Sequence, residues 1–176
     1  MTKPKAVRFK DAGAIPNNPK LPVLIYKAAI KLDNDPPAAV ERAFEENQWP
    51  PQWRDGIYPF HHYHSTAHEV LGIARGRVRV ILGGESGEEF LLEAGDVVVL
   101  PAGTGHKRIE GSTDLLVVGA YPPGQDWDLI REDEPKKKTA AVERIARVPL
   151  PTADPVAGAD GPLMRLWSQS VQGVAG

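Results

Sequence analysis

Between Gly56 and Tyr121 the chain is cut into apolar runs too short for helices, and turn signals recur roughly every 8–12 residues, the spacing of an all-β sandwich or barrel. Glu69 to Arg75 is one such run, closed by Gly76. Val78, Val80 and Leu82 then alternate with Arg77, Arg79 and Ile81, the period of a half-buried strand. Gly83–Gly87 and Gly95-Asp96 read as turns around Phe90-Leu91-Leu92, and Pro101 ends Val97–Leu100. His106–Ile109 and Leu115–Tyr121 complete the set. No helical pattern separates these strands, which argues against a parallel sheet of βαβ units. Seventeen glycines and seventeen prolines among 176 residues likewise argue against a helical bundle.

The flanks carry less pattern. Residues 1–20 are polar and proline-punctuated, an arm or irregular lead-in, and Val23–Ile30 reads as a strand. Asp35 as N-cap and Pro36 at the first helical position predict a helix with Val40, Ala43, Phe44 and Asn47 on one face, stopped by Trp49-Pro50-Pro51. Thr139–Val148 is a second candidate helix. The tail beyond it, rich in Pro, Gly and Asp, is expected to be irregular and anchored by Leu163, Leu166 and Trp167. The expected organisation is one domain: residues 1–55 packing on a barrel core of 56–122, and an extension over 123–176.

All five histidines bear on function: His61, His62, His64 and His68 crowd together, and His106 follows a Pro-x-Gly turn. Residues two apart on a strand share a face, so His62 and His64 can offer two imidazoles to one point. Glu69, opening the next run, and His106, beyond the turn, can complete a set of three imidazoles and a carboxylate. That set suits one divalent ion: Mn, Fe, Co, Ni or Zn. His61 alternates away from His62 and reads as a rim residue. His68 is in helical metal spacing from His64, but in strand phase it faces opposite Glu69, as an outward residue or a support to the ligands. Arg108 and Glu110 share the parity of His106. They read either as interior groups, with Glu110 an acid/base candidate and Arg108 a substrate handle, or as an ordinary cross-strand ion pair at the rim. Tyr63 points away from the ligand face and reads as packing. Trp49, Trp53, Tyr58 and Phe60 either line the barrel mouth or, the favoured reading, staple the helix to the barrel.

Several function classes lose support. A net charge of −2 gives no electrostatic reason for a nucleic-acid or anionic-membrane partner. The absence of cysteine removes disulfides and thiolate chemistry. No apolar run approaches a membrane span, and no signal peptide is evident, so a cytoplasmic location is the expectation. Gly103-Thr104-Gly105 lacks the Lys-Ser/Thr and the helix of a phosphate loop. Lys136-Lys137-Lys138 reads as a solvated linker.

Gly56-x5-His62-x-His64-x4-Glu69-x6-Gly76 and Gly95-x5-Pro101-x-Gly103-x2-His106 resemble the two motifs of the cupins, with Glu110 where the second usually ends in Asn. Further stretches, His61–Ser65, His68–Gly72, Gly124–Asp128, Asp154–Val156 and Gly161–Leu163, resemble bacterial cupins of the YjlB type. The resemblance implies a mainly β, single-domain jelly-roll barrel with one or two short peripheral helices. It also implies a homodimer, with residues 1–30 as a docking strand. The expected function is that of a metal-dependent enzyme of dioxygenase, isomerase or decarboxylase type, acting on a small polar metabolite. The alternative is a non-catalytic module that binds or senses a small molecule such as a sugar.

Overall fold

The computed structural model describes residues 3–172, so the first two residues of the expected arm and the last four of the expected extension lie outside it. Eleven strands form two antiparallel sheets. The first runs β1 (Lys5–Val7), β2 (Val23–Tyr26), β8 (Val97–Leu100), β5 (Glu69–Arg75), β10 (Leu116–Ala120), β3 (Pro51–Asp55). The second runs β11 (Ile130–Arg131), β4 (His62–Tyr63), β9 (His106–Gly111), β6 (Arg77–Leu82), β7 (Glu88–Glu93). Strands neighbouring in a sheet are mostly distant in sequence, as a double-sheet jelly roll requires.

The continuous apolar runs have a structural cause: the six-stranded sheet is buried on both faces. Leu71, Ile73, Val98, Leu100 and Val117 pack inward against Val78, Val80, Leu82 and Leu92 of the other sheet. Their neighbours Val70, Ala74, Val97, Val99 and Val118 pack outward against helices α1 (Pro36–Glu46) and α3 (Pro162–Gln172). Gly72 is what lets α1 approach, since a Cβ there would lie 2.5 Å from Val40 Cγ1 and 2.8 Å from Phe44 Cζ. The five-stranded sheet, by contrast, shows a charged outer face on which Arg79 lies between Glu89 and Glu110. A clean alternation therefore marks β6, and an unbroken run marks β5 and β8.

Helix α1 begins at Pro36 with the Asp35 carboxylate accepting from the Ala38 N–H, and α2 spans Lys138–Ile145. Three expectations for the flanks change. The lead-in is not an irregular arm: it pairs as β1 with β2, and Ile15 and Asn17 are buried. The strand expected over 23–30 ends at Tyr26, because Asp96 captures the Ala28 N–H and Lys27 and turns the chain, with Ala28 at φ +49°. The tail is ordered, and most of its last part is helix α3. Leu163 and Trp167 bury one face of it, and Leu166 packs at the edge. Buried Asp154 organises the approach, accepting from Val156, Ala157 and Leu163 N–H groups and from the Tyr26 hydroxyl.

Candidate metal centre

Antiparallel pairing sets His62 of β4 opposite His106 of β9. Glu69 opens β5 on the inward face of the other sheet, and His64 follows β4 by one residue. One ring nitrogen from each of His62, His64 and His106 lies within 4.8 Å of the others. The Nε2 atoms of His64 and His106 are each 3.2 Å from a Glu69 carboxylate oxygen. All four residues are buried.

Hydrogen bonding on the far side of each ring fixes what it offers inward. His62 Nδ1 meets Phe60 O at 2.9 Å, His106 Nδ1 meets Thr104 O at 3.0 Å, and His64 Nδ1 meets Asp128 O. A carbonyl oxygen only accepts, so each Nδ1 carries the proton and each neutral ring turns an Nε2 lone pair toward the common centre. Glu69 Oε1 is buried there with no hydrogen-bond donor. Three lone pairs and a carboxylate oxygen without a donor repel one another unless a proton or a metal cation lies between them, and imidazole with carboxylate is a donor set for a divalent transition ion. The residues therefore fit such an ion.

The electrostatics of His62 and Glu69 agree. Burial, and then the neighbouring His106, push the His62 imidazole down to about 2, which keeps it neutral and ligand-competent. Burial alone would raise the Glu69 carboxyl, but His64 and His106 beside it hold it well below the usual carboxylate range. His64 differs: burial works downward but is outweighed by Glu69, which raises it, so without an ion this ring tends to hold a proton beside the carboxylate, the place a metal cation would take.

A second tier of groups, not assigned from the sequence, supports the ligands. Tyr121 donates its hydroxyl to Glu69 Oε2 at 2.5 Å and accepts from Trp53 Nε1 at 2.9 Å. Trp53 fits because Gly119 faces it: a Cβ there would lie 2.1 Å from the indole. The loop Gly124–Asp128 clamps His64 from outside. The Asp128 carbonyl holds the ring, its carboxylate takes the Ser65 N–H and hydroxyl, and Gln125 takes the His68 N–H. Asn17 secures the other motif, donating to Lys10 O and Gly83 O and accepting the N–H of Gly105 beside His106. The Gly124–Asp128 stretch was visible as part of the YjlB-type resemblance; Tyr121 and Asn17 carried no local signal.

The four clustered side chains line a cavity of about 460 Å³ that opens past Trp53, Tyr58, Arg108, Trp127 and Leu129. Tyr121 and Trp127 stack with centroids 4.4 Å apart and planes at 5°. Trp53 and Tyr58 thus line the mouth rather than staple the helix. Trp49 does bury against the helix side and donates to Ala153 O, while Phe60 stacks on Tyr58 and under Arg131.

Of the four remaining candidates, Arg108 and His68 keep the face their strand parity predicts, Glu110 does not, and His61 is buried where a rim residue was expected. In the β6–β9 pairing Val80 faces Arg108 and Arg79 faces Glu110, so Ile109 is an extra residue that bulges out. Arg108 stays on the inward side with Val80 and lines the cavity. Glu110 is flipped to solvent, 71% exposed and paired with Arg79, which removes it as an acid/base group for this cavity. His68 is buried, but on the helix side: its Nδ1 accepts the Ala102 N–H at 2.9 Å and its ring packs on Trp167. It neither lines the cavity nor touches the ligands. His61 is not a rim residue: it is 1% exposed, 3.2 Å from Glu85, and grouped with the exposed Glu85 and Glu132. Tyr63 is buried packing, as expected.

A cupin-domain family model matches residues 50–118, which include His62, His64, Glu69 and His106. The uncharacterized protein YjlB of Bacillus subtilis (strain 168) is 38% identical over 159 residues, covering 90% of this chain and 93% of that protein. Among solved structures, acireductone dioxygenase from Bacillus anthracis, with cadmium in its active centre, is 16% identical at a TM-score of 0.41, covering 61% of this chain and 82% of that one. Oxalate decarboxylase is 18% identical at a TM-score of 0.35, covering 62% of this chain and 27% of that one. With the two-sheet jelly roll and the inward histidine cluster already in place, the match to the domain and the near-full-length likeness to YjlB make this chain a member of the cupin family.

Proposed function

We propose that the chain binds one divalent ion, Mn, Fe, Co, Ni or Zn, through His62, His64, Glu69 and His106, and that it is a metal-dependent enzyme acting on a small polar molecule. One observation carries the metal reading: three Nδ1–H groups are committed to backbone carbonyls, so three Nε2 lone pairs and the donor-less Glu69 oxygen converge at the foot of an open cavity. A bound ion with four protein ligands would supply Lewis acidity or a platform for oxygen, with positions left over for substrate. The protein's own part is positional. Tyr121 fixes the Glu69 carboxylate, the Asp128 loop fixes His64, and the aromatic mouth restricts water.

The non-catalytic alternative gains one specific support. With Glu110 turned out, the carboxylates lining the cavity are Glu69, committed to the cluster, and Asp55, whose Oδ1 accepts the Gly56 N–H. Among the described residues, that leaves Asp55, at the exposed rim, as the one cavity carboxylate outside the cluster.

Protein purified without added metal should contain close to one equivalent of a transition metal by elemental analysis. His62→Ala and His106→Ala should lose it. A native chain that carries no metal, and binds none when offered Mn, Fe, Co, Ni or Zn, overturns the reading. Pairing as a homodimer, also proposed, is tested by light scattering on the eluting protein; a monomer at micromolar concentration counts against it.

A further inference from the structure

Among the described residues Arg108 is the one Lys or Arg lining the cavity, and it forms no ion pair there. It lies on the inward face of β9 opposite core residue Val80, while its backbone N–H is taken by Tyr58 O. Glu110 pairs with Arg79 on the outer face and Glu69 with His64, His106 and Tyr121, while Asp55 lines the exposed rim, accepts the Gly56 N–H and forms no ion pair with Arg108. A guanidinium facing a cavity without a partner is a fork-shaped donor suited to a carboxylate. Apart from the histidine–Glu69 cluster and Asp55, the rest of the wall is aromatic or apolar. The parallel, stacked Tyr121–Trp127 pair stands on one side, and Tyr58 and Trp127 remain 52% and 43% exposed at the mouth. Among the described residues no Asn, Gln, Ser or Thr lines the cavity, so a polyhydroxylated ligand such as a sugar would leave most of its hydroxyls unpaired.

We propose that this cavity takes a small carboxylate with a flat, unsaturated body, Arg108 gripping the carboxylate and the Tyr121–Trp127 face stacking on the body. The proposal rests on the cavity being the working site inferred above and names the class of molecule it admits. A divalent ion beside Arg108, set against Glu69, would add to the positive field and further favour an anion. Arg108 is on this account a specificity-determining residue, separate from the ligands that hold the ion.

The test is a calorimetric titration of cobalt-loaded protein with benzoate, benzamide and glucose, loading being read from the visible cobalt bands. Benzoate should bind at least about tenfold more tightly than benzamide, a difference of about 1.4 kcal/mol, and glucose should not bind measurably. Arg108→Gln should abolish the preference for benzoate over benzamide with the cobalt spectrum unchanged, and Arg108→Lys should restore part of it. Trp127→Ala should weaken benzoate and benzamide alike. Equal affinity for the two, a preference that survives Arg108→Gln, tighter binding of glucose, or no binding of benzoate at millimolar concentration each overturns the proposal. A chain that takes up no cobalt overturns the metal reading instead, and the same benzoate–benzamide comparison on metal-free protein then decides the role of Arg108 by itself.

Discussion

His68 and Glu69 are adjacent, both almost fully buried, and they face opposite sides of the six-stranded sheet. His68 enters the layer between sheet and helices, where Val70, Val99, Phe44, Leu163 and Trp167 fill the space and its single strong partner is a backbone N–H. Glu69 enters the barrel, where three imidazoles, a tyrosine hydroxyl and a cavity surround it. The helix-side layer resembles an ordinary core, and its polar atoms serve the chain's own turns. The barrel side keeps converging lone pairs and a carboxylate oxygen without a donor, an arrangement that adds nothing to stability unless something binds there. Burial of a polar group thus has two meanings within one sheet, and its partners tell them apart.

The sharpest break between the two sides is a pair of truncations. Trp167→Ala should destabilise the fold by about 3–5 kcal/mol, through the lost indole packing and its hydrogen bond to Pro22 O. At temperatures where the variant stays folded its metal content should be unchanged. His106→Ala should do the reverse, abolishing metal uptake while the metal-free protein melts close to wild type. Thermal unfolding and elemental analysis on the same samples check both. A Trp167→Ala protein that folds but has lost its metal would mean that the two layers are coupled through the sheet.

The next effect separates the two residues by pH. Burial holds the folded-state His68 pKa down at about 3, against an ordinary 6.5 when unfolded. The unfolded chain therefore takes up a proton that the folded chain refuses. Its contribution to stability is complete above pH 6.5 and is lost progressively as pH falls toward 3, with a slope approaching about 1.4 kcal/mol per pH unit. His68→Asn keeps an acceptor for the Ala102 N–H but cannot titrate. Denaturant unfolding between pH 7 and 5 should show the wild type losing stability faster than this variant; parallel profiles would show that His68 is hydrated or protonated in the fold.

On the barrel side the third effect is smaller and specific. Tyr121→Phe leaves Glu69 Oε2 and Trp53 Nε1 without their shared hydroxyl, at a cost of about 1–3 kcal/mol to the fold. It also frees the carboxylate to rotate, and metal affinity should fall about 10–100-fold, as for other partners that orient a ligand from behind. Competition with a chelator measures this. Unchanged affinity would reduce Tyr121 to a packing residue.

How much of this was legible follows from the kind of force at each place. The barrel and the four converging residues could be read because strand alternation and turn glycines are local, and because the histidines are spaced for one face. Helix α3 was not, since its formation depends on Trp167 and Leu163 finding the sheet and on Asp154 taking the Leu163 N–H, all of them tertiary contacts. Tyr121 and Asn17 escaped for the same reason: each acts on a residue 52 and 88 positions away, respectively. The parity of β9 failed through one inserted residue, because a bulge reverses every side chain beyond it and Ile109 has no local signature of one.

That bulge gives the smallest and most discriminating prediction. If Ile109 puts Glu110 outside the barrel, Glu110→Gln removes only an exposed ion pair with Arg79. Stability should change by less than about 0.5 kcal/mol, and metal content and benzoate affinity should not change at all. Arg108, two residues away and on the other side of the strand, should remain decisive for carboxylate binding. An effect of Glu110→Gln on ligand affinity as large as that of Arg108→Gln would mean that the strand runs without the bulge in solution. Glu110 would then share the interior with His106 and Arg108, and the cavity would regain the free carboxylate that the bulge takes from it.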